Sequence, residues 1–284
     1  MNANRNFNHP FYPQIEGKKF TKVTGLLREF FLSKGFLEVH PQNRLSILAA
    51  CENPHSIATY EYEDLVWPLP QTNQMSLEDY LLFNPEEKGF FCLSTSYRNE
   101  KTPEINRHAK IFPMFEFELH GGFDTLLQME KELLRHLGFT EEFVEMDYLD
   151  AAKEFGCEEI GSKEEGAIAE KYSNTTFLKF FPEYTSPFWN MVRNEKGTAN
   201  KIDVLLHGVE TIGSAERSCD VEKMRETFYS IENGKYAEKL FELFTKERVE
   251  AELEDFFQHN FFQRSGGGIG LTRLVRAMEL SNLI

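Results

Sequence analysis

Two arginines, a histidine and a glutamate lie close together in the segment "YRNEKTPEINRHAKIFPMFEFE", which is typical of two strands joined by a long polar loop. Arg98 and Glu100 are expected on one side of the first strand, and Arg107 with His108 on the return. Guanidinium groups held in fixed positions are suited to binding a polyphosphate, and Phe112 could stack on a nucleotide base. Taken alone, the segment could also be an ordinary charged surface loop.

Two carboxylates recur at a defined spacing in "DVLLHGVETIGSAER". Asp203 and Glu210 are seven residues apart on adjoining strand segments, and Arg217 follows after another seven. Mg²⁺ is a hard ion that takes a few carboxylates together with substrate oxygens, so this pair would suit a metal beside phosphates. The alternative is three charges that face solvent.

A run of glycines precedes the last helix in "SGGGIGLTRLVRAMELSNLI". It is not a P-loop, and Arg273 stands where the third glycine of a Rossmann fingerprint would follow Gly268 and Gly270. We expect a glycine turn that lets the backbone approach a ligand closely, with the arginine clamping a phosphate. A tight helix start without a ligand is the alternative.

The elements that must position these residues follow from hydrophobic periodicity and turn signals. They are a helix over 20–34, a strand in "GFLEV", a helix over 76–83, strands over 89–100 and 111–121, a helix over 125–138, paired strands from 201, a helix capped by Asp220, and helices within 235–257. Hairpins with appended helices predict an α+β fold, an antiparallel β-sheet flanked by helices. We expect a polar lead-in over 1–19 and one domain over 20–284, with a peripheral helical region over 125–175.

Composition excludes several classes of protein. The 31 basic and 46 acidic residues give a net charge of −15, which argues against a protein that mainly grips DNA or another phosphate backbone. The four cysteines include no CxxC pair and indicate reduced thiols rather than disulfides or a zinc site. No apolar run is long enough to cross a membrane and no signal peptide is evident, so we expect a cytoplasmic protein without a membrane partner.

Together, in this order, the segments resemble the signature motifs of class II aminoacyl-tRNA synthetases. The helix over 20–34, the "GFLEV" strand and Pro41 are similar to motif 1, and the segment from Arg98 to Phe112 is similar to motif 2. The glycines over 266–270 with Arg273 and Leu274 are similar to motif 3. The resemblance covers nearly the whole chain and is closest to the aspartate, asparagine and lysine subclass, where "GVE" precedes an arginine by the same interval.

The resemblance implies a catalytic domain that binds ATP. Arg98 would hold the α-phosphate, Glu100 would accept from the adenine amino group, and Phe112 with Arg273 would sandwich the ring. Arg98 and Arg273 are the implied catalytic residues. The implied ATP-binding residues are Arg98, Glu100, Arg107, His108, Phe112, Gly268, Gly270 and Arg273.

The resemblance also implies a metal and an amino-acid pocket. Asp203 and Glu210 would carry Mg²⁺. Glu116 would receive the substrate ammonium group, and Arg217 would read a side-chain oxygen. The implied amino-acid-binding residues are Gln74, Glu78, Glu116 and Arg217, and the implied substrate is asparagine or aspartate.

The sequence departs from the family pattern in several places. Ile111 replaces the glutamate that normally precedes the phenylalanine of motif 2. The segment "PQTNQMSLEDYLL" has no lysine for an aspartate side chain, and Glu78 favours the amide of asparagine unless it lies on a helix surface. We also expect no anticodon-binding barrel before motif 1, and the chain stops at Ile284 without the usual "PFPR"-like tail.

Three functions are open at this level. The first is ATP-dependent activation of an Asx-type amino acid as an aminoacyl-adenylate by a free-standing amide ligase, similar to archaeal asparagine synthetases that share "PFW" at 187–189. The second is transfer of asparagine or another amino acid to tRNA or a different acceptor, as in asparaginyl-tRNA synthetase. The third is a sensor of an amino acid or ATP without catalysis. A homodimer is expected through motif 1.

Overall fold

The computed structural model of the protein describes residues 11–41, 44–48, 53–105 and 107–284. Residues 1–10 of the expected polar lead-in lie outside these ranges. The strands are β1 (Leu37–Glu38), β2 (Ala58–Tyr62), β3 (Leu65–Leu69), β4 (Gly89–Tyr97), β5 (Ile111–His120), β6 (Val144–Asp147), β7 (Thr175–Pro182), β8 (Thr198–Leu206), β9 (Val209–Arg217) and β10 (Arg264–Gly270). The α-helices are α1 (Gly17–Ser33), α2 (Gln74–Phe83), α3 (Phe123–His136), α4 (Tyr148–Phe155), α5 (Ser162–Lys171), α6 (Val221–Ser230), α7 (Lys235–Phe244), α8 (Lys246–Phe256) and α9 (Leu271–Leu280).

One large sheet organises the described residues, with the strand order β1-β4-β5-β10-β9-β8-β7-β6. Neighbours from β4 through β7 in that order run antiparallel. At the two edges, β1 is parallel to β4 and β6 is parallel to β7. Strands β2 and β3 form a separate hairpin. The predicted α+β fold, an antiparallel sheet flanked by helices, is confirmed.

Alternation along β5 shows how the two faces of the sheet differ. Phe115 and Phe117 enter a core that includes Leu27 of α1 and Leu274 of α9. Because successive side chains of a strand point to opposite faces, Glu116 lies on the other side of the sheet. One face is therefore an apolar platform for α1, α3 and α9, and the other is free to carry polar groups.

The polar face is partly covered by a second apolar cluster. Trp189 lies at its centre, with Phe228 of α6 and Phe256 of α8 against its ring system. A third cluster joins α4 and α5 to the outer strands through residues such as Leu178 and Leu205. A cleft lies over β5, β10 and β9 on this face.

Two elements differ from the sequence expectation. Residues 264–270 form the strand β10 in the middle of the sheet, where a glycine turn was expected. The region over 125–175 contains helices, as expected, but also β6, which extends the sheet at its edge. In the described part of the chain, no helix combines the length and the apolarity needed to cross a membrane.

Candidate active site

A cleft with an empty volume of about 850 Å³ opens over β5, β10 and β9. Ten residues singled out in the sequence line it: Gln74, Arg98, Glu100, Arg107, His108, Phe112, Glu210, Gly268, Gly270 and Arg273. Ala109, Met114, Thr211, Gly213 and Thr272 complete the lining.

The floor of the cleft is the glycine-rich strand β10, and neighbouring side chains explain its composition. A Cβ at Gly266 would lie 1.8 Å from Oε2 of Glu118, and one at Gly268 would lie 2.7 Å from Cε of Met114. Side chains from β5 cross over these positions, so residues with a Cβ cannot be accommodated without a shift. The glycines thus serve close packing within the sheet, rather than the turn expected from the sequence.

Arg273 joins two walls of the cleft. It lies in the first turn of α9, directly after β10, and donates to the carbonyl oxygen of Glu210 at 2.7 Å and to that of Arg107 at 3.3 Å. One guanidinium nitrogen is also 3.5 Å from Oε2 of Glu210. The arginine therefore fixes the β4–β5 loop against β9.

The β4–β5 loop carries the remaining cationic groups. Because β4 ends at Tyr97, Arg98 and Glu100 lie in the loop just beyond the strand rather than on it. The Arg98 guanidinium carbon is 5.6 Å from the centre of the Phe112 ring, and His108 Nδ1 is 2.9 Å from Oε2 of Glu100. These contacts hold a cation, a ring and a carboxylate at one end of the cleft.

Helix α5 also reaches the cleft, which sequence reasoning missed. Glu165 accepts a hydrogen bond from Arg107 and another from the backbone N–H of Glu210 at 3.2 Å. The region expected to be peripheral therefore orients one of the cleft arginines. The charged first turn of α5 gives no sign of this role, because the contact spans 58 residues.

Asp203 and Glu210 come together across Gly213. The turn between β8 and β9 places His207 and Gly208 at φ values of 48° and 71°, as a two-residue hairpin requires, and Asp203 then pairs in register with Gly213. A Cβ at Gly213 would lie 3.0 Å from Oε1 of Glu210 and 3.6 Å from Oδ1 of Asp203. Both carboxylates thus point at one small volume.

This pair fits a hard divalent cation. Asp203 Oδ1 is buried and has no hydrogen-bond partner within the described ranges, while Oδ2 accepts from Lys201 Nζ at 2.8 Å. The described residues contain no group of three or more His, Cys, Asp or Glu side chains that could hold a metal. Mg²⁺ commonly uses one or two carboxylates and fills its shell with water and phosphate oxygens, so two ligands suffice.

The two carboxyl groups differ in acidity. Burial raises the pKa of Asp203 to about 7, and the nearby Glu210 acts in the same direction. Burial also raises the pKa of Glu210, but the positive charges of Lys201, Arg273 and Arg98 outweigh it and leave that pKa below its ordinary value. The cationic cleft therefore keeps Glu210 ionised.

Three of the four predicted amino-acid-binding residues lie deeper than the cleft. Glu116 is fully buried on β5, where its carboxylate accepts from the backbone N–H of Asn73 at 2.9 Å and from the hydroxyls of Thr72 and Ser94. Gln74 lies at the boundary and accepts from Arg217, so it connects the cleft to the buried groups.

Arg217 belongs to a buried ionic network. Its Nε is 3.3 Å from Oε1 of Glu118 and 3.6 Å from Oε1 of Glu78. Arg264 donates to Oε2 of Glu78 at 2.7 and 2.9 Å, and Asn190 donates to Oε1 at 2.7 Å. We call these five residues the buried network.

The buried network changes the interpretation of Glu78. Its side chain is 1% exposed, so it does not lie on the helix surface, and it does not line the cleft. Its oxygens are occupied by Arg264 and Asn190, which leaves little capacity for a substrate amide.

A second glutamate of the buried network, Glu118, has a perturbed acidity. Burial raises the pKa of Glu118 to about 8, although Arg217 opposes that shift.

Sequence reasoning missed Glu118, Arg264 and Lys201. Strand alternation could have found Glu118, because it lies on the same face as Glu116 two residues earlier. Arg264 pairs in register with Arg217 across β10 and β9, a relation that depends on strand pairing between distant segments.

The glycine-rich central strand, the arginine-bearing hairpin and the flanking helices together define a class II aminoacyl-tRNA synthetase-type fold. The chain belongs to the family of class II tRNA synthetases (D, K and N), whose family model matches residues 16–284. This confirms the resemblance found in the sequence. No curated protein matches the chain.

Solved structures of asparaginyl- and aspartyl-tRNA synthetases share the fold. The Pyrococcus horikoshii asparaginyl-tRNA synthetase complexed with asparaginyl-adenylate has a TM-score of 0.75 and 21% identity, over 93% of this chain and 65% of that one. The Entamoeba histolytica asparaginyl-tRNA synthetase in complex with asparaginyl-adenylate has a TM-score of 0.72 and 18% identity, over 92% of this chain and 63% of that one. The Entamoeba histolytica aspartyl-tRNA synthetase has a TM-score of 0.67 and 19% identity, over 92% of this chain and 54% of that one. The chain thus spans less than two thirds of each of these structures.

Proposed function

We propose that the protein uses ATP to activate an Asx-type amino acid as an acyl-adenylate. The supporting observation is the cleft itself, in which Arg98, Arg107 and Arg273 converge with the Phe112 ring and the carboxylate of Glu210. Planar guanidinium groups bind phosphate oxygens in pairs, and an aromatic ring offers a stacking surface for a base. The family to which the chain belongs supports the same reaction class.

In the proposed reaction, a substrate carboxylate oxygen attacks the α-phosphorus of ATP. A new P–O bond forms, the bond to pyrophosphate breaks, and pyrophosphate leaves with the electron pair. Arg98 neutralises the charge that develops on the α-phosphate, and Arg107 with Arg273 holds the leaving group. Asp203 and Glu210 would hold Mg²⁺, which supplies further positive charge at the phosphates.

The side-chain pocket offers hydrogen-bond donors to a substrate. Arginine has five N–H donors and no acceptor, so the oxygen of Gln74 must face Arg217 and its NH₂ group must point the other way. A ligand beside Gln74 and Arg217 meets N–H donors and must present oxygen acceptors. Because Glu78 is occupied by Arg264 and Asn190, it no longer favours an amide, and we propose aspartate as the preferred substrate.

Two outcomes of this activation differ in which carboxylate is used. In an amide ligase, the side-chain carboxylate is adenylated while Arg217 holds the α-carboxylate, and ammonia then attacks to give asparagine and AMP. In aminoacyl transfer, the α-carboxylate is adenylated while Arg217 holds the side chain. We propose the amide ligase, because the net charge of −15 disfavours a large tRNA interface.

Exchange of labelled pyrophosphate into ATP across the twenty amino acids tests the proposal. We expect exchange with aspartate, and production of asparagine and AMP when ammonium is added. Exchange with no amino acid would overturn the proposed activation, and exchange with asparagine alone would eliminate the ligase. Label that becomes acid-precipitable with bulk tRNA and sensitive to ribonuclease would establish the transfer alternative.

We also propose a homodimer through α1 and β1. The two residues of β1 are exposed along one sheet edge, and Leu37 together with Leu32 of α1 leaves apolar surface in contact with solvent. An edge strand of this kind is a template for pairing. Sedimentation equilibrium at micromolar concentration should give twice the 33.1 kDa chain mass; a monomer would contradict this part of the proposal.

A further inference from the structure

A lysine lies beside the predicted metal ligands. Lys201 is two residues before Asp203 on β8, so both side chains leave the same face of the strand. Its Nζ donates to Asp203 Oδ2 at 2.8 Å and lies 3.9 Å from the centre of the Phe181 ring. The side chain is 23% exposed. The ammonium group is therefore held between a carboxylate and an aromatic face, largely out of water.

The position of this ammonium group alters the charge available to a metal. The positive charge of Lys201 offsets part of the negative charge that Asp203 and Glu210 present to a metal ion. A further carboxylate near Asp203, that of Glu165, is already paired with Arg107. A divalent ion that enters the cleft without a nucleotide also meets repulsion from the ammonium group and from nearby Arg273.

We propose that Lys201 acts as a resident cation that orients Asp203 and suppresses Mg²⁺ binding to the nucleotide-free cleft, so that the metal enters together with the phosphates of ATP. The negative charge of the triphosphate outweighs the repulsion of the metal ion by the ammonium group. Asp203 Oδ1 remains available as a ligand. This inference rests on the proposed function, because it assumes that a nucleotide occupies the cleft. Lys201 is a positioning residue and contacts no reacting atom.

Binding of Mn²⁺ to the nucleotide-free protein provides the test. Electron paramagnetic resonance reports free Mn²⁺ directly, and Mn²⁺ takes the place of Mg²⁺ at oxygen ligands. Lys201→Met removes the charge but keeps an unbranched side chain against Phe181. We expect this variant to bind Mn²⁺ about tenfold more tightly than the wild type, or better. Equal affinity in the two proteins would overturn the inference.

A matched control is available in the same sheet. Lys179 on β7 is also paired with carboxylates, at 3.0 Å from Glu145 and 3.7 Å from Asp147. Lys179→Met should leave Mn²⁺ affinity unchanged, because its partners lie at the sheet edge and not in the cleft. The double variant Lys201→Met with Asp203→Asn should lose the gained affinity. A gain that persists there would show that the ion binds elsewhere, which also overturns the inference.

A second substitution keeps the test independent of folding. If circular dichroism shows that Lys201→Met is unfolded, Lys201→Gln removes the same charge while keeping polar character, and it should show the same gain. A simple structural defect would lower metal affinity, whereas the inference requires it to rise.

ATP binding measured separately by calorimetry distinguishes this inference from the proposed function. If ATP binds and neither Lys201 variant gains Mn²⁺ affinity, the inference fails and the proposed function stands. If ATP does not bind while the variants gain affinity, the proposed function fails together with the entry of the metal on ATP, and only the suppression of ion binding by Lys201 stands.

Discussion

The cleft and the buried network both contain arginine and glutamate side chains, but these charged groups differ in their exposure to solvent. In the cleft, the side chains of Arg273 and Glu210 are 29% and 38% exposed. In the buried network, those of Arg264 and Glu78 are 0% and 1% exposed. The charged groups of the cleft keep contact with solvent, whereas those of the buried network satisfy one another.

The physical reason is desolvation. An ionised group removed from water must recover several kilocalories per mole from partners, and the network does so with multiple hydrogen bonds. The charged groups of the cleft avoid most of this desolvation cost, because they remain in contact with water. Substitutions in the network should therefore lower the free energy of unfolding, and substitutions in the cleft should lower activity at nearly constant stability.

The largest expected effect is on the buried network. Arg264→Met leaves Glu78 without its main cationic partner, so the free energy of unfolding should fall by about 3–5 kcal/mol. Urea unfolding followed by circular dichroism measures this loss. The control is Arg225→Met, which breaks the solvent-exposed pair with Glu254 and should cost at most about 1 kcal/mol. Equal losses in the two variants would erase the contrast between buried and exposed pairs.

The second effect is catalytic. Arg98→Ala should reduce amino-acid-dependent pyrophosphate exchange by about 10²–10³-fold, because it removes a positive charge at the reacting phosphate. Its free energy of unfolding should remain within about 1 kcal/mol of the wild type, since Arg98 lies at the cleft surface. Arg98→Lys is the matched variant and should retain part of the activity. Full exchange in the alanine variant would show that the nucleotide binds elsewhere.

The third effect concerns a buried carboxyl group outside both regions. Burial raises the pKa of Glu130 on α3 from 4.5 to about 8, and no cation contributes to that shift. The pKa of Glu130 is higher in the folded state than in the unfolded state, so the protonated carboxyl group favours folding. This contribution to the free energy of unfolding is complete below pH 4.5 and is lost as pH rises through 8. Glu130→Gln should therefore exceed the wild type in stability by on the order of 2–3 kcal/mol at pH 9.

Urea unfolding at pH 4, 7 and 9 checks this prediction. The difference between Glu130→Gln and the wild type should be smallest at pH 4 and should grow with pH. Glu132→Gln, on the exposed side of the same helix, serves as the control and should show no such growth. A constant difference at all three pH values would contradict the raised pKa of Glu130.

The smallest effect lies at the boundary between cleft and network. Gln74→Leu removes the acceptor for Arg217 and the donor offered to the substrate, so the KM for aspartate should rise about tenfold while the KM for ATP stays constant. Pyrophosphate exchange at varied aspartate and ATP gives both constants. Equal changes in the two would place Gln74 in the nucleotide site instead.

Much of the fold was predictable because its signals are local. The helical period of α1 and the two long strands on either side of the arginine-bearing loop depend on neighbouring residues, and each appears in the structure. The order of three short motifs then predicted the family. Site residues carried by those motifs were predicted together, and most of them line one cleft.

The strand β10 shows where local signals mislead. Glycine disfavours strands because it has no side chain to pack and loses the most backbone entropy, so a glycine-rich segment favours a turn. In the folded protein, β5 and β9 pair with the two edges of this segment. Side chains of β5 occupy the space above Gly266 and Gly268, and Ser214 of β9 occupies the space above Gly267. Tertiary pairing thus outweighs local preference.

The sequence by itself determined which residue types are present and which local elements hold them: the arginines of the hairpin, the carboxylates at 203 and 210, and the strands on either side of them. Only the tertiary structure decided which charges meet. Glu78 and Arg264 are 186 residues apart, yet their contact holds the Glu78 carboxylate in the buried network and away from the cleft. Lys201 is two residues from Asp203, but it also lowers the pKa of Glu210, and that effect depends on the register of β8 and β9. Charge pairing acts over a few ångströms in space, and sequence separation does not report that distance.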